Sequence, residues 1–195
     1  MPERRPQLVV LASGSGSTLQ AILDDVELGP LVVAAGTDVP DCQAMERARG
    51  AGKPTFAHPL RDYPDRSAWN AALADSVAGF QPDLVVLAGF MRVLAPEVVS
   101  RFRIVNTHPA LLPAFPGAHA IRDALAAGVT ETGVTVHWVD AGVDTGPVIV
   151  QQPVPVLPGD DEDALRARIQ AAEKPLFVQA LRQLCADITA VTENA

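Results

Sequence analysis

Short apolar runs bounded by turn residues recur through the first half of the chain: Leu8-Val9-Val10-Leu11, Leu31-Val32-Val33-Ala34-Ala35, Leu84-Val85-Val86-Leu87-Ala88 and Ile104-Val105. Helix-like stretches separate them, and strands that are apolar throughout are those covered on both faces. The pattern predicts an α/β fold with a doubly wound, mostly parallel sheet, Rossmann-like in layout. Further along, Gly133-Val134-Thr135-Val136-His137-Trp138-Val139 and Pro147-Val148-Ile149-Val150 are separated by the seven residues 140–146. That is too short for a crossover helix, so an antiparallel pair is expected. After the acidic stretch from Asp160 to Asp163, Leu165, Ile169, Leu176, Phe177, Leu181 and Leu184 form an apolar stripe. They predict a long C-terminal helix over the sheet, kinked or restarted at Pro175, which has no N–H for the helical ladder.

Composition narrows the class without changing this picture. With 195 residues, 48% of them hydrophobic, the chain can bury one good core, and a single domain over 1–195 is expected. A net charge of −8 is poor footing for a broad grip on nucleic acid. No apolar run reaches the roughly 18 residues of a membrane span, and no signal-peptide core follows Met1, so a soluble cytoplasmic protein is expected. Cys42 and Cys185 stand far apart and show no metal-ligand spacing. No metal site is expected.

Two segments carry candidate chemistry. Directly after the first strand, Ser13-Gly14-Ser15-Gly16-Ser17-Thr18 leads into Leu19, Ile22 and Leu23 at helical spacing. Glycines allow close backbone approach, while amides at the helix start and the Ser17 and Thr18 hydroxyls supply donors for an anion. Neither a Walker lysine nor a third dinucleotide glycine is present, which favours one phosphomonoester over a dinucleotide. The second segment is Asn106-Thr107-His108-Pro109 at the carboxyl end of a strand, where open α/β sheets bind ligands. Asn106 and His108 are two apart in extended backbone and face the same way. A carboxylate is available from the loop holding Asp140 and Asp144, and spacing alone leaves both open. His137 lies in a β run and reads as a packing or hydrogen-bonding residue, whereas His58 and His119 have no evident reactive partner.

Five strings, in order, carry a resemblance that spans nearly the whole chain: Ser13-Gly14-Ser15-Gly16-Ser17, Leu87-Ala88-Gly89-Phe90-Met91-Arg92-Val93-Leu94, Asn106-Thr107-His108-Pro109-Ala110-Leu111-Leu112-Pro113, Pro116-Gly117-Ala118-His119 and Asp144-Thr145-Gly146-Pro147-Val148-Ile149. The chain resembles the glycinamide ribonucleotide formyltransferase family of purine biosynthesis. The resemblance implies transfer of a formyl group from 10-formyltetrahydrofolate to the glycinamide amine, with Asn106, His108 and Asp144 catalytic. It also selects Asp144 over Asp140. For the ribonucleotide it implies Ser15, Gly16, Ser17, Thr18, Pro109, Gln170 and Glu173. For the folate cosubstrate it implies Arg66, Met91, Arg92, Val93, Leu94, Asn106, Val139, Asp140, Ala141, Gly142, Val143 and Asp144. The ribonucleotide phosphate then belongs to a half over about 1–105, and folate and catalysis to a half over about 106–195. Small-molecule substrates, no nucleic acid, no membrane, and a monomer or homodimer complete the expectation. Thr18 stands where the family often has Asn, and Ala110 where it often has Ser.

Three other readings differ in what they require. A 10-formyltetrahydrofolate hydrolase would share the triad but needs no acceptor phosphate loop. A methionyl-tRNA formyltransferase would need an RNA-binding domain and a basic surface. A non-catalytic nucleotide-binding module would use the glycine loop alone and leave the triad without a role.

Overall fold

In the computed structural model, which describes residues 5–193, the apolar runs become strands of one sheet. Its seven strands are β1 (Leu8–Leu11), β2 (Val32–Thr37), β3 (Thr55–Ala57), β4 (Leu84–Leu87), β5 (Ile104–His108), β6 (Glu131–Trp138) and β7 (Val148–Pro155). They lie in the order β3-β2-β1-β4-β5-β6-β7. The first five run parallel, and β5–β6 and β6–β7 pair antiparallel. The helices are α1 (Ser17–Asp24), α2 (Gln43–Gly50), α3 (Arg66–Gly79), α4 (Pro96–Val99), α5 (Ala120–Ala126) and α6 (Glu162–Glu193).

Strand alternation divides the core in two. Leu8, Val10, Val32 and Ala35 face a layer that includes Leu19, Met45, Leu165, Phe177 and Leu181. Val9, Leu11 and Ala34 face Trp69, Leu73, Val77 and Val98 on the opposite side. Both sheet faces are therefore covered, as the continuous apolar strands require. The strand order reverses between β1 and β4, so the loops leaving these two neighbours diverge and open a crevice at their carboxyl ends.

Three features depart from the sequence pattern. β3 has only three residues, none of them fully buried, so no apolar run marks it. β7 continues past Val150 to Pro155, taking in Pro153 and Pro155. It pairs only with β6 and so forms the sheet edge, where a missing proline N–H is tolerated. Pro175 does not end or restart the C-terminal helix, which runs as one element of 32 residues. One lost ladder bond is outweighed by the packing of Leu176, Phe177, Ala180 and Leu181, all buried immediately after it. Cys42 and Cys185 are both buried and free. Burial pushes the Cys185 thiol up to about 11, which leaves it unreactive.

Candidate active site

The glycine loop turns from β1 into α1 through Gly16, the N-cap residue, whose φ of 69° lies in the left-handed region. A side chain there would also collide with α2, because a Cβ would come within 2.5 Å of Ala44 Cα. The loop is tied down elsewhere: Ala44 N–H donates to Gly14 O at 3.1 Å, and Arg47 Nε donates to Ser15 O at 2.8 Å. Thr18 donates to Glu173 Oε1 at 3.0 Å, across 155 positions of sequence. Burial raises the Glu173 carboxyl above its ordinary value, and the Thr18 bond only partly offsets this. Ser15, Gly16, Ser17, Thr18 and Glu173 thus cluster at one end of α1. Gln170 lies one turn before Glu173 on α6 and is exposed.

Beside the loop, the carboxyl ends of β4, β5 and β6 enclose a cavity of about 280 Å³. Its walls include Met91, Arg92, Val93 and Leu94 on one side, Asn106, His108 and Pro109 at the floor, and Val139, Asp140, Gly142, Val143 and Asp144 opposite. Met91, Val93 and Val143 are 75%, 58% and 49% exposed, which gives the mouth an apolar rim. Arg66 does not line the cavity. It starts α3, stacks over the Trp69 ring at 4.8 Å, and donates from Nη2 to Val93 O, bracing the rim from behind. Ala141 lies in the same loop as the wall residues but does not line the cavity.

At the floor, Asn106, His108 and Asp144 come together with a fourth residue, His137. The antiparallel register sets Asn106 opposite His137. His137 Nδ1 faces its neighbour's carbonyl, Trp138 O, at 2.9 Å, and Nε2 lies 3.2 Å from Asn106 Nδ2. With Nδ1–H donating to the carbonyl, Nε2 accepts from the Asn106 amide, which fixes the amide's orientation. The remaining Nδ2 hydrogen is then available to the cavity. His108 Nε2 faces Phe115 O at 2.7 Å, and its Nδ1 lies 3.3 Å from Asp144 Oδ2. Phe115 O can only accept, so Nε2 carries a hydrogen and Nδ1 is left facing the carboxylate.

Asp144 is held for this position. Its backbone φ is 55°, and Gly117 N–H donates to Oδ2 at 2.8 Å. The following turn is tight at Gly146, where a Cβ would sit 1.8 Å from Trp138 O. The Asp144 side chain is 12% exposed. Burial works against its charge, but the hydrogen bond from the Gly117 amide and the nearby His108 hold the carboxyl below its ordinary value. Asp140 instead builds the turn, accepting from Gly142 N at 3.0 Å and from Thr145 Oγ1 at 2.7 Å. The two acids that spacing leaves open are therefore separated by their partners.

The β run that contains His137 suggests packing, and only the β5–β6 register reveals its position beside Asn106. Arg166, from the first turns of α6, also reaches the cavity without any sequence signal. Among the described residues, no group of three or more His, Cys, Asp or Glu is arranged to hold a metal, and no helix is long and apolar enough to cross a membrane.

Residues 6–181 match the formyl transferase family. The phosphoribosylglycinamide formyltransferase of Mycobacterium tuberculosis is 54% identical over 187 residues, covering 94% of this chain and 86% of its own. That of Escherichia coli K12 is 43% identical over 175 residues, with 87% and 82% covered. Among solved structures, glycinamide ribonucleotide transformylase 1 from Symbiobacterium toebii superposes with a TM-score of 0.90 at 45% identity, covering 94% of this chain and 89% of that one. A site built on Asn106, His108 and Asp144 and a match of this extent lead to one placement: the chain belongs to the formyl transferase family, among the phosphoribosylglycinamide formyltransferases.

Proposed function

We infer that this enzyme transfers the formyl group of 10-formyltetrahydrofolate to the amine of 5-phosphoribosylglycinamide, giving formylglycinamide ribonucleotide and tetrahydrofolate in purine biosynthesis. The observation that carries the reading is the joint presence, at one carboxyl edge of the sheet, of a phosphate-type loop after β1 and the Asn106–His108–Asp144 floor at β5 and beyond β6, with only β4 between β1 and β5. A hydrolase using water would need only the second. The two ligand-binding halves, about 1–105 and 106–195, then belong to one domain. The enzyme works on small molecules in the cytoplasm, as a monomer or homodimer, without nucleic acid or a membrane.

The donor brings a formyl group carried on nitrogen. The cavity suits a flat heteroaromatic ring: its surface is more apolar than polar, with the Asp140–Val143 turn and the Arg92–Leu94 segment both lining it. On the other side, the Gly16, Ser17 and Thr18 segment suits a phosphate at the start of α1, and Glu173 suits hydroxyl groups of the ribose. Pro109 also lines the cavity.

When the acceptor amine attacks, a bond forms between its nitrogen and the formyl carbon, and the carbonyl oxygen becomes negative. The free Asn106 Nδ2–H is the donor for that oxygen, and one such donor is typically worth about 3 kcal/mol, while His108 stands beside it with Nε2 tied to Phe115 O and Nδ1 facing Asp144. The 3.3 Å spacing between His108 and Asp144 is longer than a charge-assisted hydrogen bond. Such contacts tighten when substrates close the site. Asp144 lies where a water can carry the amine proton to the departing nitrogen. The bond from the formyl carbon to the donor nitrogen then breaks.

The deciding experiment is tetrahydrofolate release, followed with and without the ribonucleotide. Release that requires the ribonucleotide supports the reading. Equal release without it identifies a hydrolase.

A further inference from the structure

Three loops that leave neighbouring parallel strands are joined by one buried carboxylate. Asp38 follows β2, and its side chain is 1% exposed. Oδ1 accepts from the Ser13 hydroxyl, which follows β1, at 2.5 Å. Oδ2 accepts from Arg92 Nε, which follows β4, at 2.6 Å. The Ser13 hydroxyl oxygen in turn accepts from Met91 N–H at 2.9 Å, and Ser13 N–H donates to Gly89 O at 3.1 Å. Sheet order places these three strands side by side as β2-β1-β4, so the network runs along the carboxyl edge and across the point where the strand order reverses.

One end of this network is the first residue of the glycine loop, and the other is the segment that forms a wall of the cavity. The buried carboxylate accepts one hydrogen bond on each oxygen, from the Ser13 hydroxyl and from the half-exposed Arg92, so loss of Arg92 leaves a buried charge without its cation and loosens both loops. We propose that Asp38 is a positioning residue that couples the phosphate loop to the donor-side segment Met91–Leu94 through Ser13 and Arg92, so that changing one ligand's loop changes affinity for the other ligand. Asp38 does not line the cavity. This inference rests on the functional reading above for the identity of the two ligands, but the coupling itself belongs to the fold. In its absence the two loops would be independent, and a substitution in either would affect one ligand only.

Ser13→Ala removes the acceptor of the Met91 amide and one donor to Asp38, and it does so from the loop side. The expected results are exchange of the Met91 amide about tenfold faster, and a KM for 10-formyltetrahydrofolate raised roughly three- to tenfold, with kcat within about twofold of wild type. The reciprocal variant, Arg92→Ala, should weaken binding of the ribonucleotide by about threefold or more in calorimetry and speed amide exchange over residues 15–18. Asp38→Asn keeps the shape and loses the charge, and should show both effects at smaller size, which covers the case in which Ser13→Ala folds poorly. Donor KM unchanged in Ser13→Ala, or ribonucleotide affinity unchanged in Arg92→Ala, would overturn the coupling, as would a fall in kcat with KM unaltered. Wild-type protein that turns over neither ligand defeats the functional reading alone; amide exchange in the two variants still decides the coupling.

Discussion

Gly16 and Gly14 share a loop but meet different surroundings, and this makes a controlled pair of substitutions. In Gly16→Ala the new Cβ lies 2.5 Å from Ala44 Cα and 2.7 Å from Ala44 Cβ, on a backbone with φ of +69°. The left-handed conformation costs a residue with a Cβ about 1–2 kcal/mol. Overpacking adds roughly 1–3 kcal/mol, toward the upper end here because Ala44 is fully buried and its N–H is held by Gly14 O. A destabilisation of about 3 kcal/mol lowers the melting temperature of a domain this size by roughly 6–12 °C. A Cβ on Gly14 meets nothing within 4 Å, so Gly14→Ala should stay within about 0.5 kcal/mol of wild type. Thermal melting of the three proteins side by side is the assay. Gly16→Ala melting together with Gly14→Ala and wild type would refute the claim that close approach to α2 is why this position is glycine.

Three further outcomes follow from the site. Asp144→Asn keeps the left-handed backbone, which Asn tolerates, and the bond from Gly117, but loses the charge facing His108. Its kcat should fall about 10²–10³-fold with little change in melting, and near-normal turnover would remove Asp144 from the mechanism. His137→Leu removes the acceptor that orients the Asn106 amide. It should lower kcat about tenfold with ribonucleotide affinity unchanged, and His137→Gln should recover part of the loss; equal kcat in all three would leave His137 a packing residue. Glu173→Gln probes burial of charge. The folded state raises this carboxyl, so folding binds its proton more tightly, and stability falls as pH rises past the ordinary carboxylate value. The glutamine variant should therefore melt higher than wild type at pH 7 and alike below about pH 4, while binding the ribonucleotide more weakly. A lower melting temperature at pH 7 would contradict the sign.

Hydrophobic patterning locates β1, β2, β4 and β5 because parallel strands buried on both faces leave unbroken apolar runs. It misses β3, whose three residues are only partly buried, and Pro175 does not restart α6, because its single lost donor is small beside that helix's apolar face. The glycine loop is legible because its requirements are local: a tight turn and a left-handed N-cap. The strand position of Asn106 and His108 is legible for the same reason. Asp144 and Asp140 are not separable by spacing, since turn-building and active-site carboxylates have the same sequence appearance. They differ only in partners, Thr145 and Gly142 for one and Gly117 with two histidines for the other. His137, Arg166 and the Ser13–Asp38–Arg92 network depend on register and on contacts across the sheet edge, and no local pattern encodes these.

Joint service of the phosphate-type loop and the Asn106–His108–Asp144 floor in one reaction, with an amine as acceptor, is what the mechanism requires. Its most direct test is a single turnover with isotopically labelled formyl on 10-formyltetrahydrofolate and enzyme in excess over donor, the products being separated and identified by mass spectrometry. Label should move to the ribonucleotide amine in step with tetrahydrofolate release, and both should slow together by about 10²–10³-fold in Asp144→Asn. Label recovered as free formate in the presence of saturating ribonucleotide would contradict it.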